Sequence, residues 1–213
     1  MLSGALDFLF EVLFFCKDLI GFSKERESEM NEKTKTARLA KMAMLAAISL
    51  VFLFAFKLIP GLGQIFTFGG FLEYDPADIP IFIGTFAFGP LGGFVLTVIV
   101  SVVQGFTVAA TAGPYGPLMH IIATGTFVIV AGLIYKRNKT MKGAIIALIA
   151  GTLSMTLIMI PANILITPLF FGMPREAVYP LLPLIIGFNL GKAGVNSLLT
   201  FFLYKRISKF LHR

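Results

Sequence analysis

From Thr36 to Tyr204 long apolar stretches alternate with short clusters of Gly, Pro and charge. After Asp78 no Asp, Glu, Lys or Arg occurs until Lys136, and a second charge-free run extends from Gly143 to Pro174. A helix needs about 20 apolar residues to cross the hydrocarbon of a bilayer. The pattern predicts six spans: Thr36–Leu58, a short one over Ala77–Phe88, Leu91–Ala110, Leu118–Tyr135, Gly143–Phe171 and Leu181–Tyr204. The breaks between them are Pro60-Gly61, Gly89-Pro90, TAGPYGP, KRNKTMK and GMPREAVYP. The expected fold is an all-α integral membrane protein with six transmembrane helices and a structured first outer loop, GLGQIFTFGGFLEYDPADIP. The second span is short, so it relies on that loop to cover part of the membrane depth. No repeat at a fixed period is visible and the short span has no twin, which argues against an inverted-repeat transporter.

Composition sharpens this. Of 213 residues, 57% are hydrophobic and 14% charged, against about 25% charged in soluble domains; mean hydropathy is +0.88. The net charge of +7 invites a nucleic-acid reading, but its placement does not. Of the 18 Lys and Arg, six lie at 24–41, four at 136–142 and four at 205–213. With six spans these three segments share one side, and basic loops mark the cytoplasmic face. The expected location is the cell membrane, multi-pass, with both termini cytoplasmic. Residues 1–35 read as a cytoplasmic leader, either an amphipathic helix or an extension from an upstream start, since Met30 opens a basic leader of its own; residues 36–209 form the membrane domain. The lone Cys16 excludes an intramolecular disulfide.

Polar side chains inside spans are costly and mark pathways or sites. Asn189, Lys192 and Asn196 stand at i, i+3 and i+7, one helix face. Asn163 lies between Pro161 and Pro168, which remove backbone donors. Gln104 and His120 reach a similar depth, in the outer half of the membrane. Four helices thus bring hydrogen-bonding groups to one layer, which describes a pocket opening outward. Lys192 is equally placed to form an ion pair with Glu73 or Asp78, and His120 suits a structural role. Gly187-x-x-x-Gly191-Lys192 is not a phosphate loop: it has three residues between its glycines, not four, and Ala193 follows the lysine. The spans carry no His-Glu-x-x-His, no nucleophile turn with a matched His and no paired acidic metal site. No catalytic residues, metal or cofactor are expected.

With these residues in view, the chain resembles the substrate-binding S components of energy-coupling factor (ECF) vitamin transporters, the riboflavin-specific family in particular. The resemblance covers roughly Ala37 to Lys209 and rests on FLEYDPADIP, PANILITP and NLGKAGVN. It implies that the chain captures riboflavin from outside as a transported ligand. A separate transmembrane coupling subunit and two cytoplasmic ATPase subunits then drive its release. It implies Asn163, Asn189 and Lys192 as first contacts, with Leu72, Phe71, Tyr74, Asp75 and Gln104 around them. A carboxamide can match one donor–acceptor pair on the pyrimidine edge of the flavin, Lys192 can donate to ring or ribityl oxygens, and the loop's apolar side chains can cover the ring. Ala43 and Ala47 match the family's docking surface for the coupling subunit, since small residues four apart let helices approach closely. An S component for another vitamin such as thiamine is the alternative, and an intramembrane enzyme the alternative of another class.

Overall fold

The structure is a computed structural model that describes residues 32–58, 67–68, 72–107 and 114–211. The leader expected over residues 1–35 therefore lies almost wholly outside the described residues, as does Phe71. Six helices follow in order: α1 Glu32–Leu58, α2 Asp78–Phe88, α3 Pro90–Thr107, α4 Tyr115–Arg137, α5 Met141–Phe171 and α6 Leu182–Leu211. Five of them have stretches long and apolar enough to cross a membrane, and α2 is the shorter apolar helix. In the loop between α1 and α2, β1 (Thr67–Phe68) pairs antiparallel with β2 (Leu72–Glu73). The chain divides at Ala40/Lys41, and α1 from Lys41 onward belongs with the later helices.

The bundle is built around α2. Every residue from Asp78 to Phe86 is buried, and a helix apolar on all sides belongs in the middle of a bundle. It packs on α3, α4 and α6. Phe82 stacks on Phe127 of α4 with ring centroids 3.7 Å apart. Gly89 takes φ +86°, a left-handed turn open to glycine, and Pro90 starts α3 at once. That turn presses on α4 at Gly132, where a Cβ would sit 2.7 Å from the Pro90 Cα. At about 1.5 Å per residue, the 11 residues of α2 reach roughly half-way through a bilayer.

Local chemistry sets the helix ends. Thr140 caps α5 by accepting from the Gly143 N–H at 3.0 Å, which satisfies one of the orphan donors of the first turn. Gly172, at φ +64°, ends it. The helix runs unbroken through Pro161 and Pro168. The connection to α6 holds two single 3₁₀ turns, Arg175–Ala177 and Tyr179–Leu181. Several ends differ from the sequence expectation; α1, for one, begins at Glu32, four residues before Thr36. Helix α4 begins at Tyr115, three residues before Leu118, because Pro117 sits in its first turn, where no intrahelical N–H is needed. Helix α6 continues to Leu211, since a helical backbone does not have to stop where the hydrocarbon does.

Candidate functional site

Asp78 is the centre of the polar layer. Its Oδ1 accepts from Thr124 Oγ1 at 2.9 Å and pairs with His120 Nε2 at 2.8 Å. Its Oδ2 faces Lys192 Nζ at 3.1 Å and accepts a longer bond from Asn196 Nδ2 at 3.4 Å. The carboxylate is fully buried, and such a charge survives in low dielectric only when paired and hydrogen-bonded. As the first residue of α2 it also sits at the positive end of that helix's dipole. Behind it, His120 Nδ1 lies 2.6 Å from Ser101 Oγ. One acidic side chain thus joins α2, α4 and α6, with α3 one bond further out. Asp78, one of the two partners the sequence offered Lys192 for an ion pair, stands beside it; the Glu73 side chain lies outside the described residues.

The loop between α1 and α2 is tied to the same centre. Tyr74 Oη donates to Asn196 Oδ1 at 2.7 Å, and Asn196 Nδ2 donates to the Asp75 carbonyl at 3.1 Å. Asn196 lies 14 residues into α6, about 21 Å along its axis, so the loop reaches deep into the bundle. Irregular backbone at such depth is tolerated only where it is buried or lines a cavity. Asp75 shapes the entry to α2: its Oδ1 accepts from the Ala77 N–H at 2.8 Å and its Oδ2 from Gln104 Nε2 at 3.2 Å.

Three carboxamides have unused capacity among the described residues. Asn189 Nδ2 donates to the Ile185 carbonyl at 2.8 Å, and its Oδ1 takes no partner. Gln104 Oε1 is buried without a partner. Asn163 is fully buried; its Nδ2 donates to the Met159 carbonyl at 2.8 Å and its Oδ1 accepts from Thr167 Oγ1 at 3.1 Å. Leaving a buried donor or acceptor unmade costs about 1–3 kcal/mol, so these groups suit a ligand that completes them. Leu72 packs with Val178 and Ile185, flanked by Ile164 and Phe188, which are the chain neighbours of Asn163 and Asn189. An apolar floor and open amides therefore adjoin.

The sequence-chosen residues fall into two groups. Lys192, Tyr74, Asp75 and Gln104 share one hydrogen-bonded network with Asp78. Asn163 and Asn189 lie in the halves of α5 and α6 that face the Arg175–Leu181 connection, with Leu72 packed by their chain neighbours Ile164 and Phe188. Thr124, Ser101, Thr167 and Tyr115 were not singled out, although helical spacing offered a signal. Ser101 precedes Gln104 by one turn, while Thr124 follows His120, and Thr167 follows Asn163, by four residues. Ala43 and Ala47 both lie on the exposed side of α1, whereas Leu45, Ala46, Ser49 and Leu53 are buried on the other.

Comparison with known proteins agrees with this architecture. A family model described as "ECF transporter, substrate-specific component" matches residues 37–204. Riboflavin transporter RibU of Staphylococcus aureus (strain TCH60) is 29% identical over 183 residues, covering 83% of this chain and 93% of that protein. Riboflavin transporter FmnP of Bacillus subtilis (strain 168) is 30% identical over 138 residues, covering 64% of this chain and 70% of that protein. A solved structure described as "Structure and mechanism of the S component of a bacterial ECF transporter" superposes with a TM-score of 0.70 and 29% identity, over 84% of this chain and 99% of that one. With a polar layer buried in a six-helix membrane bundle, and a family match over most of its length, the chain belongs to the substrate-specific components of ECF transporters.

Proposed function

We propose that this protein is the riboflavin-binding S component of an ECF transporter and takes the vitamin up from outside the cell. The observation that carries the reading is the pair of amides Asn163 and Asn189, anchored through their nitrogens and left with unused hydrogen-bonding capacity beside the apolar residues around Leu72, with the open Gln104 carbonyl oxygen in the Asp78 network. Sites for flat heterocycles are mostly apolar with a few convergent polar groups. The pyrimidine edge of riboflavin offers carbonyl, N–H and carbonyl in a row, and its ribityl hydroxyls can fill open amide carbonyls. The names of the relatives point to the same ligand. The test is fluorescence titration of the purified chain. Riboflavin should be quenched with nanomolar affinity, about −12 kcal/mol. Absence of quenching, or tighter binding of thiamine, would reject the assignment.

Transport itself depends on other chains: a transmembrane coupling subunit and two cytoplasmic ATPase subunits, with both termini of this chain on the cytoplasmic side. The outward placement of Ala43 and Ala47 supports α1 as the face that meets the coupling subunit. Replacing either alanine by Phe is expected to abolish riboflavin uptake by cells while the purified variant binds riboflavin as before. Joint loss of uptake and binding would show instead that these positions pack within the bundle.

A further inference from the structure

We propose that Thr167 and Tyr115 are specificity-determining positioning residues: with the Met159 carbonyl setting which way the Asn163 carboxamide faces, they hold its oxygen in place, and so favour a ligand that presents an acceptor beside a donor. This rests on the riboflavin reading above and extends it to residues that need not touch the vitamin.

Proton counting carries the argument. The Met159 carbonyl can only accept, so the Asn163 atom 2.8 Å from it is the nitrogen. The opposite atom is then the amide oxygen, and Thr167 Oγ1, 3.1 Å away, must spend its one proton on it. Tyr115 Oη lies 2.9 Å from the same Thr167 oxygen; with that proton committed, Tyr115 donates to Thr167. The chain has one direction only: Tyr115 to Thr167 to Asn163 to the Met159 carbonyl. A flipped amide would set its oxygen against a carbonyl oxygen and leave Thr167 facing an N–H.

So oriented, Asn163 retains one N–H and one oxygen lone pair. It has no further partner among the described residues, although it is fully buried. Held side by side, these complement a carbonyl next to an N–H, which is what the imide edge of a flavin offers. Tyr115 is itself held between Phe170 and Phe171, with ring centroids 5.3 and 5.2 Å away, so the start of the chain is fixed by packing.

The experiment compares riboflavin with N3-methylriboflavin, whose imide N–H is blocked, by fluorescence quenching. The proteins are the full wild-type chain and its Thr167→Val, Thr167→Ser and Tyr115→Phe variants. Wild type should prefer riboflavin. Thr167→Val keeps the shape and removes the donor, so the preference should fall about tenfold, the effect of losing one ordinary hydrogen bond. Thr167→Ser should restore it. Tyr115→Phe keeps the ring contacts and should move the preference the same way by less, and it serves alone if Thr167→Val does not fold. A preference unchanged in both variants, or both ligands weakened equally, would overturn the inference by reducing these residues to structural ones. Failure of the wild type to bind riboflavin would instead reject the functional reading, and this inference with it.

Discussion

Asp78→Asn is expected to cost the ligand-free protein about 3–5 kcal/mol, the scale on which one partner of a buried pair is lost. The change is nearly isosteric, so no cavity term enters. What changes is charge: Lys192 keeps its ammonium 3.1 Å from a group that no longer balances it. The removal is asymmetric. In Lys192→Met the carboxylate would still have His120, Thr124 and Asn196, whereas Asp78→Asn leaves the ammonium without its ion-pair partner. Thermal melting in detergent should therefore rank Asp78→Asn below Lys192→Met, and the double variant above Asp78→Asn alone. Residues in direct contact show coupling of about 0.5–3 kcal/mol in such cycles. Strictly additive losses would mean that the pair contributes nothing as a pair.

The affinity of Lys192→Met is the second large effect. An ammonium has three donors, and Asp78 occupies one direction, which leaves the others for a ligand. A hydrogen bond from a charged donor contributes about 1.5–3 kcal/mol, and each 1.4 kcal/mol is about a factor of ten. Riboflavin affinity should fall by about 10- to 100-fold. Melting of the ligand-free protein has to be measured alongside, because the same change removes a partner from Asp78. Unchanged affinity with a large fall in melting temperature would confine Lys192 to the ion pair and take it out of the binding site.

The helices were legible from sequence because hydrocarbon imposes one rule on every residue of a span, and the charge-free runs up to Lys136 and Pro174 make that rule visible. The depth of Asn163, Asn189 and Lys192 followed from counting along a helix of fixed rise. Rotation about the helix axes was less accessible. Three polar residues on one face of α6 do not tell which neighbour they meet, so Lys192 was left between Glu73, Asp78 and a ligand. Ser101, Thr124 and Thr167 escaped notice for a related reason. A hydroxyl in a span can satisfy itself on its own backbone, as Thr85 does with the Ile81 carbonyl at 2.9 Å, and only the fold separates such residues from those that reach another side chain. The short α2 was legible, but its central position was not: eleven residues headed by an acid describe a helix too short to span, and the groups around it come from distant parts of the chain.

That central placement bears on how the protein is made. Asp78 enters the membrane early in synthesis, while Lys192 and Asn196 arrive with the last helix, Asn196 being 118 residues away in sequence. Until α6 inserts, the acid at the head of α2 has only His120 and Thr124 for company, and an unpaired Asp or Lys at the centre of a span costs about 2.5–3.5 kcal/mol on insertion scales. Each is therefore a poor insert alone and an acceptable one together. The layer around Asp78 is completed only by α6, and a chain truncated before α6 leaves that acid in the bilayer without its lysine partner.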